Sequence, residues 1–222
     1  MARLMPLLLA GFFLCACAPQ TAPADKEPPE PPYRQTLEAW TRNASVYNGL
    51  DSELLVSATL KSLPFRMQYA KEYARVYLLP PEEAEKVAAE QAKAWEMYLD
   101  FTVGAFVPQE RQNDFGRPRS TWKVYLENGA GTRVQPLEIR PLLRDRELTA
   151  HFYPYMTPWK KAYVFRFPHK DAETGKPLLD EGIERVSLVI TGPAGACAMT
   201  WEKPPAGWTS PMPAPKNAPQ QQ

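Results

Sequence analysis

The sequence predicts a mainly β chain with an α insertion, an α+β fold. Three observations predict it. From residue 98 to residue 202 apolar and polar residues alternate over short runs broken by Gly, Pro and Asn, which is the period of half-buried strands. Between about residues 64 and 96 the apolar residues fall instead at helical spacing. Polar, proline-rich segments flank this region on both sides, so one core accounts for the folded part. The chain has 222 residues, 11% of them aromatic, which is ample for packing. Its formal net charge of +1 argues against nucleic acid as a partner, because no strong global field is present.

The N-terminus opens with Arg3 and an apolar run from Leu4 to Leu14. That is the layout of a secretory leader, and it is shorter than the roughly twenty residues a spanning helix needs. The run ends in Leu14-Cys15-Ala16-Cys17. This stretch resembles the lipobox of bacterial lipoproteins, with leucine three before a cysteine and a small residue one before. The resemblance implies cleavage after Ala16, lipid on Cys17 and attachment to a membrane through that lipid. Cys15, preceded by Leu14, fits the acceptor position worse. Ala18 after the cysteine, where inner-membrane lipoproteins of enteric-type bacteria carry Asp, implies the outer membrane. Residues 1–16 are then the signal peptide, and residues 17–34 a lipidated, Pro-rich tether. Extended at about 3.1 Å per residue, that tether reaches about 50 Å.

Residues 35–202 form the predicted domain. Gln35 to Arg42 reads as a short helix with Leu37 and Trp40 on one side. Ala44 to Leu50 and Glu53 to Leu60 read as two strands, or one bent strand, around Asp51-Ser52. Pro64 is placed to start a helix whose stripe is Phe65, Tyr69, Tyr73, Val76 and Tyr77, with Arg66, Lys71, Glu72 and Arg75 elsewhere around it. Leu79-Pro80-Pro81 stops it. Glu82-Glu83 then suits the positive end of a second helix, whose inward stripe is Ala84, Val87, Ala88, Gln91 and Trp95. Strands follow around Phe101–Ala105, Trp122–Leu126, Val134–Ile139, Leu148–Phe152, Tyr163–Phe167, Val186–Ile190 and Cys197–Trp201. Asn128 to Gly131 is a hairpin turn. Residues 203–222 read as a Pro/Gln-rich disordered tail, with Trp208 either the last packed residue or an anchor for a partner.

The strand count suggests an immunoglobulin-like β-sandwich with a helical hairpin on one side, although a Cys…Trp…Cys signature is missing. A lipocalin-like barrel is the rival, and its regular meander fits the helical insertion poorly.

Chemical motifs are sparse, and no catalytic residue, metal ligand or cofactor is assigned. His169, Asp171 and Glu173 could supply three metal ligands, but a solvated hairpin loop accounts for them better. Cys197 could pair with His151 or His169 as a nucleophile, but its small neighbours Ala196 and Ala198 favour a buried, inert thiol. The suggestive stretch runs from Tyr153 to Trp159, where Tyr153, Tyr155 and Trp159 crowd a loop with two prolines. Rigid aromatic loops bind partners, and they also cap the ends of sandwiches. The resulting expectation is a non-enzymatic envelope lipoprotein that binds or assembles with another envelope protein. The alternatives are an envelope hydrolase using scattered carboxylates and a small-ligand carrier.

Overall fold

The structure, a computed structural model, describes residues 31–210 apart from 143–145 and 181. The signal peptide, Cys17, most of the tether and the last twelve positions of the tail lie outside the described residues.

Among the described residues, nine strands form two antiparallel sheets accompanied by four α-helices, a mixed α+β fold. Helix α1 (Pro31–Trp40) leads into β1 (Thr41–Asn48) and β2 (Asp51–Leu60). The two strands are a true hairpin rather than one bent strand, and its turn uses Gly49 at φ 62°. Helices α2 (Leu63–Val76) and α3 (Pro81–Met97) match the predicted helical hairpin to within a residue at each end. Ser62 caps α2 by accepting from the Phe65 amide at 3.3 Å, and Pro64 occupies its first turn. The remaining elements are β3 (Tyr98–Phe106), β4 (Lys123–Asn128), β5 (Arg133–Val134), β6 (Glu138–Pro141), α4 (Arg146–Phe152), β7 (Lys161–Pro168), β8 (Arg185–Gly192) and β9 (Gly195–Glu202).

The first sheet has the order β1-β2-β3-β7-β6, and the second β5-β4-β8-β9. Alternation assigns the faces of the first sheet. Leu54, Val56, Ala58 and Leu60 of β2 share a face with Leu99, Phe101, Val103 and Ala105 of β3 and with Tyr163, Phe165 and Phe167 of β7. These residues join Val124, Leu126, Val186, Leu188, Ile190, Met199 and Trp201 of the second sheet in one buried cluster. Phe101 meets Trp201 with ring centroids 5.2 Å apart. The last strand also lies beside the first. Arg42 Nε donates to the Thr200 carbonyl at 3.0 Å, and Trp201 Nε1 donates to the Trp40 carbonyl at 2.8 Å.

Several expectations are corrected. Leu148 to Phe152 is helix α4, not a strand. Its apolar ends are four residues apart, a spacing that satisfies both the strand and the helix period, so alternation over three residues could not decide. Val134 and Ile139 do not continue one strand. β5 pairs with β4 in the second sheet, whereas β6 pairs with β7 in the first. Helix α1 includes residues 31–34 of the predicted tether, where Tyr33 is buried and donates from its hydroxyl to the Phe152 carbonyl at 2.8 Å. Trp208, placed in the predicted tail, is a packed residue. It is 3% exposed, and its Nε1 donates to the Ile183 carbonyl at 2.7 Å.

Candidate functional site

The second face of the first sheet is polar, yet it is buried. Register places Thr59 opposite Thr102, Ser57 opposite Gly104 and Asp100 opposite Arg166. The helices and the loop after α4 cover this face, so Ser57, Thr59, Asp100 and Thr102 are all buried. Buried polar groups need partners, and these have them. Asp100 is the hub. Arg66 Nη2 donates to Asp100 Oδ2 at 2.8 Å. Arg166 donates through Nε to Oδ1 at 2.8 Å and through Nη2 to Oδ2 at 3.2 Å. Arg66 also donates to the Lys61 carbonyl and to Gln91 Oε1. Burial pushes the Asp100 carboxyl up, but its hydrogen bonds and its proximity to Arg166, Arg66 and Lys61 outweigh this and hold it below the ordinary aspartate value.

Arg66 and Glu72 were expected away from the apolar stripe of α2, and both are buried. Glu72 accepts from Arg75 at 2.9 and 3.0 Å, and its Oε1 lies 2.9 Å from His151 Nε2 on α4. Helices α2 and α4 are thereby tied together. Along the tyrosine ridge, Tyr69 is buried and Tyr73 half-buried, as expected for core. Tyr69 stacks on Phe152 and Tyr73, and Tyr77 at the end is exposed.

The aromatic loop divides. Tyr153 is 5% exposed, and its hydroxyl accepts from Thr102 Oγ1 at 3.2 Å. Tyr155 points into the same seam, donating to the Thr102 carbonyl at 3.0 Å and lying 2.7 Å from Thr59 Oγ1. Burial raises the Tyr155 hydroxyl well above its ordinary value, so it stays protonated as a donor. Of the three rings, Tyr153 is buried, Tyr155 half-buried and Trp159 exposed. Tyr153 and Tyr155 bind the loop to the sheet, and Trp159 alone is exposed, at 79%. Met156 sits over Gly104, where an added Cβ would lie 2.6 Å from its sulfur.

This loop forms one wall of a cleft of about 570 Å³, within the range of small-ligand sites. The other walls come from the 108–120 loop, β6, α4 and the start of β7. Among the described residues, Arg117, Arg146, Lys160 and Lys161 line it, against the carboxylate of Asp114. Ile139, Leu142 and Met156 supply apolar surface. Lys161 also reaches Glu110 at 3.3 Å, and Asp114 accepts from Ser120 at 2.9 Å. Tyr163 donates to the Asn113 carbonyl at 2.7 Å, and burial beside Asp114 pushes its hydroxyl up to about 12. Lys160 Nζ donates to Ser57 Oγ at 2.8 Å, and Ser57 Oγ in turn donates to Asn43 Oδ1 at 2.6 Å. Burial lowers the Lys160 ammonium from its ordinary value. Met156 and Thr157 belong to the stretch singled out from the sequence, but none of the basic cleft residues was. The available signal was weak, a Lys160-Lys161 pair directly after the aromatic loop.

Among the described residues no group of three or more His, Cys, Asp or Glu is placed to hold a metal. Asp171 instead caps its own turn, accepting from the Glu173 and Thr174 amides and from the Thr174 hydroxyl. His169 packs edge-on against Trp95 of α3 and, through burial and Lys170, titrates below its ordinary value. Both histidines are thus held against the helical hairpin, whereas Cys197 sits on β9 in the second sheet. Burial pushes the Cys197 thiol up to about 11. No helix among the described residues is long and apolar enough to cross a membrane. No protein-family model, curated protein or solved structure matches this chain.

Proposed function

We propose that this chain is a bacterial envelope lipoprotein, held by lipid on Cys17 in the outer membrane, whose folded domain is a binding module for another envelope component. The carrying observation is the cleft, where four basic side chains surround an apolar floor. A rigid frame, a concave surface and an excess of one charge suit recognition of an anionic segment or ligand. Trp159, exposed and adjacent to Lys160, offers an aromatic contact beside the cleft. We read the two sheets as the layers of an immunoglobulin-like sandwich. The Phe101–Trp201 contact and the passage of the chain from β5 in one sheet to β6 in the other support that reading.

The test is site-specific photo-cross-linking in intact cells from position 157 or 159. One stoichiometric envelope partner is expected, lost when Arg117 and Lys161 are both changed to Glu. No cross-link from either position sinks the binding module. Separately, Cys17→Ser is expected to leave the protein unprocessed or released; a variant of wild-type mass that still partitions with membranes refutes the anchor.

A second reading, an envelope hydrolase, has the Ser57–Lys160 pair in its favour. Lys160, of lowered proton affinity, lies 2.8 Å from Ser57 Oγ. As the neutral amine it would accept the hydroxyl proton that Ser57 here gives to Asn43, a nucleophile–base arrangement. Covalent labelling of Ser57 by a fluorophosphonate, absent in Lys160→Met, would establish it in place of the binding module.

A further inference from the structure

The end of α2 and the turn into α3 form the tip of the helical hairpin, residues 76–81. Its sequence, Val76-Tyr77-Leu78-Leu79-Pro80-Pro81, carries no charge. Tyr77 packs on Tyr73 with ring centroids 4.5 Å apart, and Tyr73 in turn stacks on Phe152 of α4. Leu78 has no such support. It is 88% exposed, the most exposed large apolar side chain of the tip. Pro80 and Pro81 beside it are exposed as well.

The backbone at Leu78 is strained. The Leu79 amide donates to the Ala74 carbonyl at 2.9 Å and the Leu78 amide to the Arg75 carbonyl at 3.2 Å, the pair of bonds that ends a helix through one left-handed residue. That residue is Leu78, at φ 50°, and among the described residues it alone has positive φ without being glycine. Glycine or asparagine fits this position better, because a larger side chain crowds the backbone there. Leucine here strains the fold and gains almost no burial. Strain with no compensation in packing points to a contact outside the fold.

Three observations favour a lipid surface as that contact. The tip is a projecting turn of apolar side chains with a tyrosine at its flank; leucine suits the acyl boundary of a bilayer and tyrosine the headgroup level. Fourteen residue steps separate Cys17 from Pro31, at most about 50 Å of chain, so a lipid on Cys17 keeps the domain within that reach of the membrane. Glu82 and Glu83 follow the tip directly, and the first lysine of α3, Lys86, is paired with Glu82 at 2.9 Å, which disfavours anionic headgroups. We propose that the tip of the helical hairpin inserts into a leaflet of zwitterionic phospholipid, with Leu78 at the acyl boundary and Tyr77 among the headgroups. The inference rests on the reading of the chain as membrane-anchored, and it adds a second, reversible contact that orients the domain on the membrane.

The experiment is photo-cross-linking in intact cells from a photoreactive leucine analogue at position 78, followed by peptide mapping. The tryptic peptide 76–86 is expected to gain the mass of a zwitterionic phospholipid. A probe at the exposed position 90, about 14 Å along α3 from its start, is expected to gain none. A probe at position 77 then reads insertion in Leu78→Gly. That variant relieves the strain, so its Tm should not fall below wild type, while the lipid adduct should drop about tenfold as one leucine side chain is withdrawn from the acyl region. An unchanged adduct in Leu78→Gly overturns the role of Leu78, and a lower Tm overturns the strain argument. A protein adduct at position 78 in place of lipid, no adduct at all, or equal lipid adducts at positions 78 and 90 overturns the proposal. Anionic lipid as the main adduct overturns the assignment of the leaflet. The anchor is read separately, from the mass of the N-terminal peptide. Lipid on Cys17 without an adduct at position 78 refutes the tip alone; an adduct at position 78 on a chain without lipid on Cys17 refutes the anchor and leaves the tip standing.

Discussion

Changing Asp100 to Asn keeps the shape of the hub and removes its charge. The carboxylate is 2% exposed and accepts three guanidinium hydrogen bonds. Without it Arg66, itself 1% exposed, keeps a buried charge with no counter-charge on its Nη2. Breaking a buried ion pair from one side costs about 3–5 kcal/mol. Arg166 is partly exposed and regains some hydration, which points to the lower end, about 3 kcal/mol. For a domain of this size that is a fall in Tm of about 6–12 °C. Thermal and urea unfolding of wild type, Asp100→Asn, Arg66→Met and the double variant would measure it. The cycle should return a coupling of about 1–3 kcal/mol between the two residues. The pH dependence has a definite sign. Asp100 titrates below the ordinary aspartate value, so its contribution is complete above about pH 4 and is lost as pH falls through its depressed folded-state value. The gap between wild type and Asp100→Asn should therefore be constant at neutral pH and close in acid. A Tm for Asp100→Asn within about 2 °C of wild type, or additive single variants, would refute the argument.

Three further outcomes follow from the packing. Cys197, with its thiol at about 11, should react with a maleimide at pH 8 at least about 100-fold more slowly in the folded protein than in guanidinium, read by peptide mapping. Gly195 sits at φ 138° with an added Cβ only 2.6 Å from Val46 Cγ1, so Gly195→Ala should destabilise by about 1–3 kcal/mol in urea titration; an unchanged midpoint would show that β1 and β9 can separate freely. Tyr155→Phe should cost about 1–2 kcal/mol, because it removes the buried hydroxyl's bonds to the Thr102 carbonyl and Thr59 Oγ1, whereas Trp159→Ala should change stability by less than about 0.5 kcal/mol; equal losses would contradict the division of the loop.

Much of the framework was legible in the sequence. The helical hairpin was, because Pro64 marks its start and Pro80-Pro81 its turn, both local signals. The strands of both sheets were, where alternation ran for four residues or more. Leu148–Phe152 differs from its reading because five residues hold too few periods to separate strand from helix. The aromatic loop was recognised as unusual, but which rings faced inward could not be told, since a tyrosine suits both a core and an interface.

The candidate site was largely illegible. Ser57, Thr59, Asp100 and Thr102 read as the solvent face of two strands, and Arg66 as the solvent face of a helix. Composition and period predict which residues share a face, because pleat and helix pitch are local geometry. What covers that face is set by contacts between residues far apart in the chain. Arg66 to Asp100 spans 34 positions, and Lys160 to Ser57 spans 103. The sequence by itself determined the helical hairpin, most of the strands and the resemblance of the leader to a lipobox. Only the tertiary structure decided that the polar face of the first sheet is roofed by helices. Closing that roof desolvates the charges and pairs Asp100 with two arginines.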